Sequence, residues 1–298
     1  MIRESSVGLA NCEGRRFVRD RMKDFNEDPQ FTRLLCREDD TVDLILLALE
    51  FARDFNPGLD FGPTLAWIDA RGAELAPRLA RAADDEALLT VITQCLAAEH
   101  GLTGSPEVFE SPEGSCIDRV IETRRGIPLV LALIYQAVAA RQHIDLLGVC
   151  SPGHFILRYN TPLKPLFIDP YNGGRILTHA QAIKLFEEFK GLSRAEARRV
   201  LEPASTRAIV LRLLRNLKNL SANTEDWRKC ALVQDRLLAL EPGLFEERLD
   251  WGMIQLKAGR PGPALSMLEK CLRNCPEETQ TLLNQQIGMA RSQLAAWN

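Results

Sequence analysis

Apolar residues recur at helical spacing through the first hundred residues of the chain. The segment 41–55 shows this repeat; Thr41 is its predicted N-cap, and the Asn-Pro-Gly sequence at 56–58 ends it. The same spacing predicts two further helices, over residues 61–79 and 84–99. We therefore expect residues 1–105 to form a helical N-terminal region.

In the middle of the chain the pattern changes from helical spacing to runs of strand length. Pro128 opens a stretch that is apolar nearly all round, which is typical of a buried central helix. Three short apolar runs follow, at 145–150, 154–159 and 166–169. A helix followed by consecutive strands predicts an α+β unit with a small antiparallel sheet, over residues 106–205.

The last third of the chain is helical again and contains an internal repeat. The segments DRLLALEP, starting at Asp235, and EKCLRNCP, starting at Glu269, lie 34 residues apart, which is the period of tetratricopeptide repeats. Between them we expect a helix over 245–258 and a turn over 259–263. Two copies are fewer than the roughly three that stability usually needs, so residues 206–298 should pack on the rest of the chain.

Composition and charge exclude two classes of partner. Lys plus Arg number 37 and Asp plus Glu number 40, for a net charge of -3, whereas proteins that bind nucleic acid usually have a strongly basic face. The longest apolar run, 127–140, is shorter than the about 20 residues that span a bilayer. Residues 1–16 contain no apolar stretch of the secretory type, so we expect a cytoplasmic protein.

The cysteines and histidines do not suggest a metal centre. Eight cysteines are scattered along the chain without a C-x-x-C pair, which favours reduced thiols over a disulfide framework. The four histidines do not lie beside cysteines at the spacing of zinc ligands. We expect neither a metal site nor a cofactor.

One histidine and one aspartate are candidate catalytic residues. If 154–159 and 166–169 form a hairpin in which Tyr159 pairs with Lys164, then His154 lies directly opposite Asp169 on the same face of the sheet. The carboxylate would then orient the imidazole as a general base, two thirds of a catalytic triad. The alternative is structural, since an isolated histidine at a strand start and an Asp-Pro turn are both common.

Four short motifs in this order resemble those of the SirB-like bacterial proteins. They are RRGIP at 124–128, GHFILR at 153–158, IDPYNGG at 168–174 and RNLK at 215–218. The resemblance covers residues 42–277 and implies a transglutaminase-like core, of the cysteine-protease-like fold, followed by tetratricopeptide repeats. It also implies that His154 and Asp169 occupy the His and Asp positions of a Cys-His-Asp triad.

The expected nucleophile is missing. In active relatives of this superfamily the cysteine lies in the first turn of the helix before the strands, where the helix dipole lowers its pKa. That turn here contains Leu129 and Val130, and SirB-like proteins commonly have a serine near the position of Val130. A hydrocarbon side chain cannot attack a carbonyl. Cys150, four residues before His154, and Cys116 are alternative nucleophiles.

Three hypotheses about function remain. The first, which the sequence favours, is a catalytically degenerate transglutaminase-like protein, a pseudoenzyme that acts as a protein-binding, peptide-binding or regulatory module. Its candidate ligand-binding residues are Arg158, Tyr171 and Asn172. Arg158 is expected on the same strand face as His154.

The second hypothesis is a hydrolase or acyl-transfer enzyme in which His154 and Asp169 act with a displaced nucleophile such as Cys150, or with an activated water. The third is a scaffold in which the His–Asp pair only stabilises the hairpin. The sequence identifies neither the partner nor the oligomeric state.

Overall fold

The computed structural model describes Phe25 and residues 27–110, 114–151 and 153–296. Residues 1–24 of the predicted N-terminal region lie outside the described residues. The described chain forms two compact units. We call Val42–Leu213 the core unit, and we call the described residues up to Thr41, together with those from Leu214 onward, the repeat unit. Residues 42–105 therefore lie in the same unit as the sheet.

The described residues form thirteen α-helices and one four-stranded sheet. The helices are α1 (Pro29–Leu35), α2 (Leu44–Phe55), α3 (Gly62–Leu79), α4 (Asp85–Thr93), α5 (Ile117–Thr123), α6 (Pro128–Ala140), α7 (His179–Lys190), α8 (Arg194–Val200), α9 (Thr206–Asn223), α10 (Trp227–Leu240), α11 (Phe245–Lys257), α12 (Pro261–Leu272) and α13 (Glu277–Ala295). A π-helical segment, Gln94–Glu99, continues α4. Short 3₁₀ turns cover Asp39–Thr41 and Pro106–Phe109.

The start of α2 differs from the prediction. Asp43, not Thr41, is the N-cap, and its side chain accepts hydrogen bonds from the backbone N–H of Ile45 at 2.8 Å and of Leu46 at 3.0 Å. Thr41 instead ends a 3₁₀ turn. The nearer carboxylate satisfies two N–H groups that have no partner within the helix, which is the usual function of an N-cap.

The strands form the expected small antiparallel sheet, in the order β1-β2-β3-β4. The strands are β1 (Leu147–Ser151), β2 (His154–Tyr159), β3 (Leu166–Asp169) and β4 (Arg175–Thr178). The fourth strand was not predicted. It has only four residues, and both of its ends, Arg175 and Thr178, are exposed, so it lacks the continuous apolar run that identified the others.

The centre of the core unit is α6, as its apolar sequence predicted. Eleven of its residues are buried, and the helix packs against β2 and α3. A second apolar cluster joins the sheet to α7 and α8. Its sheet residues, Val149, Ile156, Phe167 and Leu177, are buried against those two helices. The sheet is thus covered by helices and its strands are held in place by apolar burial.

The repeat unit contains the helix pairs that the 34-residue period predicted. Helices α10 to α13 pack consecutively against one another. Helix α12 already begins at Pro261, inside the predicted turn, because proline is favoured at the first helical position. A buried ion pair between Arg236 of α10 and Asp28, with 2.8 Å between Nη2 and Oδ2, links this helix to the start of α1. Among the described helices, none is both long and apolar enough to cross a membrane.

The turn between β3 and β4 contains two glycines that provide a matched pair for mutation. Both Gly173 (φ 67°) and Gly174 (φ 73°) have left-handed backbone conformations. A Cβ at Gly174 would lie 2.8 Å from Cβ of Thr93 and 3.1 Å from Oη of Tyr135, whereas one at Gly173 would meet nothing within 4 Å.

We predict that Gly173→Ala lowers the free energy of unfolding by about 1–2 kcal/mol through backbone strain alone. Gly174→Ala should cost about 1–3 kcal/mol more, because the added methyl also overpacks the turn. Urea denaturation of both variants measures the difference. Equal losses of stability in the two variants would contradict the described packing of this turn.

Candidate functional site

The imidazole of His154 and the carboxylate of Asp169 are in direct contact. Nε2 of His154 lies 2.9 Å from Oδ2 of Asp169. Both residues are buried, with 8% of His154 and 1% of Asp169 exposed. His154 is the first residue of β2 and Asp169 the last of β3, so the pair lies at one end of the sheet.

The strand register that brings these residues together is not the predicted one. Tyr159 pairs with Leu166, not with Lys164, so β3 is shifted by two residues and His154 is not directly opposite Asp169. Thr161 explains the longer loop, because its hydroxyl bonds to the carbonyl (2.9 Å) and the N–H (3.3 Å) of Lys164. A shift of two residues preserves the strand face, so the side chains still meet diagonally.

Asn172 also binds the carboxylate of Asp169, through both of its oxygens. Its Nδ2 donates to Oδ2 of Asp169 at 2.7 Å, and its backbone N–H donates to Oδ1 at 3.3 Å. The carbonyl of Asp169 accepts a further bond, from the N–H of Gly174 at 3.0 Å. The turn that follows Asp169 therefore fixes both the side chain and the backbone of this residue.

These contacts determine the charge of Asp169 and the tautomer of His154. Burial by itself would raise the pKa of Asp169, but the hydrogen bond and charge of His154, together with the hydrogen bonds from Asn172, lower that pKa below its usual value. An ionised carboxylate only accepts hydrogen bonds, so Nε2 of His154 carries the proton.

Tyr171 borders the pair, and it is fixed by its neighbours. Its ring stands edge-on to that of His154, with 6.3 Å between the centroids. Gly104 lies so close to this ring that a Cβ there would be 2.0 Å from Cδ2 of Tyr171, and the N–H of Gly104 donates to the carbonyl of Tyr171 at 2.9 Å. Tyr171 and Asn172 thus both adjoin the His–Asp pair, as candidate ligand-binding residues should.

Arg158 is occupied elsewhere. Its guanidinium forms an ion pair with Glu202, with 2.9 Å between Nη1 and Oε2, and its Nε donates to Asn160 at 2.9 Å. Arg158 shares the strand face of His154, but it lies four residues further along β2, about 13 Å away at the usual rise per residue. The structure does not bring it to the His–Asp pair.

The structure shows both the position where a nucleophile was expected and the two candidate cysteines. Leu129 and Val130, in the first turn of α6, are buried, with 2% and 0% of their surface exposed. Cys150 pairs with Phe155, whereas Ser151 pairs with His154, so Cys150 points to the sheet face opposite His154. Burial also raises the pKa of the Cys150 thiol. Cys116 is buried at the N-cap position of α5.

Two hydroxyl groups near the pair were missed in the sequence analysis. Ser151 lies directly opposite His154 across the β1–β2 hairpin, is fully buried, and its Oγ has no hydrogen-bond partner among the described residues. Oη of Tyr135, on α6, is likewise buried and without a partner among them. Only two residues separate Ser151 from His154, and that spacing, typical of a tight hairpin turn, was the available signal.

Two family models match the chain. The model described as transglutaminase-like superfamily matches residues 64–215, and a tetratricopeptide-repeat model matches residues 217–295. The two matches meet near residue 216 and together confirm the predicted order of core and repeats. No solved structure matches the chain significantly.

Curated relatives support the same assignment. A protein of Xylella fastidiosa named UPF0162 protein is 32% identical over 251 residues, which cover 83% of this chain and 89% of the relative. A UPF0162 protein of Pseudomonas aeruginosa is 30% identical, over 72% of this chain and 78% of the relative. Protein SirB1 of Salmonella typhimurium is 25% identical, over 60% of this chain and 67% of the relative.

The order of the elements, the His–Asp pair across two strands, the two family models and these relatives all agree. The resemblance to SirB-like proteins that the motifs indicated is confirmed. The chain belongs to the UPF0162 (SirB-like) family of the transglutaminase-like superfamily, with tetratricopeptide repeats after its core.

Proposed function

We propose that this protein is a catalytically degenerate member of the transglutaminase-like superfamily that binds a protein or peptide partner. In this proposal the pair of His154 and Asp169 recognises a ligand and does not activate a nucleophile. Tyr171 and Asn172 border the ligand site. Arg158 was part of the sequence hypothesis, and its ion pair with Glu202 argues against a direct role for it.

One observation carries the proposal. The His–Asp pair is intact, buried and joined at 2.9 Å, yet the first turn of α6 offers only the hydrocarbon side chains of Leu129 and Val130. The superfamily resemblance puts the attacking atom in that turn. An oriented imidazole without an attacking atom can still accept or donate a hydrogen bond to a ligand. Recognition needs no attacking atom, and a ligand would contact the 8% of His154 that is exposed.

The repeat unit supports a macromolecular partner. Tetratricopeptide helices stack into concave surfaces that suit proteins and peptides.

We also propose that the protein acts in the cytoplasm. Six cysteines among the described residues, Cys36, Cys95, Cys150, Cys230, Cys271 and Cys275, are free thiols, as is usual in a reducing compartment.

A hydrolase or acyl-transfer enzyme is the second candidate, and Ser151 is the observation that favours it. Its hydroxyl lies on the same strand face as His154, whereas the Cys150 thiol lies on the other. An enzyme of this type would use Ser151, or a water activated by His154, as the nucleophile. The complete burial of Ser151 argues against access by a substrate.

Selection of peptides from a random library on the full chain tests the proposal. We predict that selected peptides bind the wild type and are recovered unmodified. Because the imidazole would contact the ligand, His154→Ala should weaken their binding at least about tenfold, equivalent to about 1.4 kcal/mol. Isothermal titration calorimetry measures the affinities, and mass spectrometry examines the recovered peptides.

Lys184→Ala is the control, because Lys184 lies exposed on α7 of the same unit. This variant should bind the peptides as the wild type does. Recovery of cleaved peptide, or an acyl adduct on Ser151, would favour the enzyme. Binding that is equal in the wild type and in folded His154→Ala would leave the pair a purely structural role, and the proposal would be wrong.

Placing a thiol in the first turn of α6 tests whether the missing nucleophile is what separates this protein from an enzyme. We predict that iodoacetamide at neutral pH alkylates the cysteine of Val130→Cys at least about tenfold faster than the cysteine of Val138→Cys. Val138 is the control, because it is buried further along α6. The helix N-terminus and His154 should lower the pKa of the new thiol. Peptide mapping by mass spectrometry gives both rates.

Adding His154→Ala to Val130→Cys should remove most of the rate advantage. If alkylation at position 130 is as slow as at position 138, the first turn of α6 does not adjoin the His–Asp pair in the way that the superfamily resemblance implies.

The lowered pKa of Asp169 makes its contribution to stability depend on pH. Because the folded pKa lies below the unfolded value of about 3.9, the contribution is fully present above that pH and is lost as pH falls through the folded pKa. We predict that Asp169→Asn lowers the free energy of unfolding by roughly 1–3 kcal/mol at pH 7. The difference from the wild type should shrink below about pH 4. A difference that grows with acidity, measured by urea denaturation, would contradict the assigned charge.

A further inference from the structure

A second group of side chains that could bind a metal or react lies in the core unit, apart from the His–Asp pair. It consists of Glu74 on α3, Cys95 in the π-helical segment, and His100 directly after that segment. Their carboxylate oxygen, sulfur and ring nitrogen all lie within 4.8 Å of one another. Nε2 of His100 is 3.0 Å from Oε2 of Glu74.

The π-helical register is what places the cysteine and the histidine together. On an α-helix two residues five positions apart point in directions about 140° apart. Here the N–H of His100 donates to the carbonyl of Cys95 at 3.0 Å, the i to i+5 bond of a π-helix, so the two residues lie about one turn apart on the same side. Such π-helical turns are rare and frequently occur at functional sites.

We propose that Glu74, Cys95 and His100 bind a thiophilic divalent cation, with zinc as the expected metal. Carboxylate, thiolate and imidazole are the three kinds of ligand that zinc uses, and harder cations such as magnesium avoid sulfur. Three protein ligands leave a fourth tetrahedral position for water or a ligand. On binding, the metal replaces the thiol proton, which is released to solvent.

The surrounding charges fit such a site. Arg71 forms an ion pair with Glu74, with 2.8 Å between Nε and Oε2, and ligating carboxylates commonly have a polar partner of their own. A zinc ion with one thiolate and one carboxylate is electrically neutral, so it does not repel Arg71. Arg78, which also faces Cys95, is already paired with Glu99 at 2.8 and 2.9 Å.

The same three residue types could form a nucleophile, a base and an orienting group, but the surroundings of Cys95 argue against that use. Cys95 is fully buried, and burial raises the pKa of its thiol to about 11. A reactive cysteine is normally accessible and has a lowered pKa. A buried thiol that becomes ionised only on coordination suits a metal better.

Cobalt titration of the full chain, after removal of metal with a chelator, tests the site. Co²⁺ replaces zinc in tetrahedral sites and reports a thiolate ligand by a sulfur-to-metal charge-transfer band in the near ultraviolet. We expect this band to saturate at one equivalent and to disappear when zinc is added. Glu74→Gln and His100→Gln should weaken binding by more than the 10–100-fold that loss of an outer-sphere partner costs.

Cys95→Ala should abolish the band, whereas Cys230→Ala, which removes an equally buried thiol of the repeat unit, should leave it unchanged. Circular dichroism checks that each variant is folded. Should Cys95→Ala fail to fold, the two partly exposed positions, Glu74 and His100, still decide the question. The proposal would be overturned if the wild type gave no charge-transfer band, or if the band survived in all three variants, Glu74→Gln, Cys95→Ala and His100→Gln. Neither result would affect the proposed peptide binding, which uses other residues.

Discussion

The hydrogen bond between His154 and Asp169 depends on the register of the sheet. Because side chains alternate along a strand, any odd shift between β2 and β3 would separate the two groups. The same shift would put Ile156 and Phe167 on opposite faces of the sheet, so one of them would leave the apolar cluster with α7 and α8. Burial of the apolar side chains in that cluster therefore fixes the strand register, and this register keeps His154 and Asp169 in contact. Once buried, each partner also compensates the desolvation of the other.

The core unit thus combines a buried His–Asp pair with a helix whose first turn contains only hydrocarbon side chains. The oriented imidazole, the carboxylate and the asparagine that braces it are all present. The first turn of α6, where the superfamily resemblance places the nucleophile, is purely apolar. If the protein is catalytically degenerate, as we propose, the pair remains as a hydrogen-bonding group, and tetratricopeptide repeats follow it in the same chain. This combination is why we propose recognition and not turnover.

Sequence patterns predicted those parts of the fold that local periodicity determines. The apolar run after Pro128 and the 34-residue repeat identified α6 and the repeat helices. The strand pattern and the family motifs together predicted the His–Asp pair. The exact register was missed, because it depends on how Thr161 closes its loop. The cluster around Cys95 was missed as well, since Glu74 lies on another helix and the π-helical register that aligns Cys95 with His100 leaves no sequence pattern. The buried pair of Arg236 and Asp28 joins residues that no local pattern relates.

The tautomer of His154 tests the central claim most directly. Long-range nitrogen–proton correlation spectra of histidine-labelled protein at neutral pH distinguish a proton on Nε2 from one on Nδ1. Because Nε2 donates to an ionised Asp169, we expect a single, slowly exchanging Nε2–H tautomer that is lost in Asp169→Ala. An Nδ1–H tautomer, or a rapid mixture of the two, would show that the carboxylate does not orient this ring. The functional account would then have no basis.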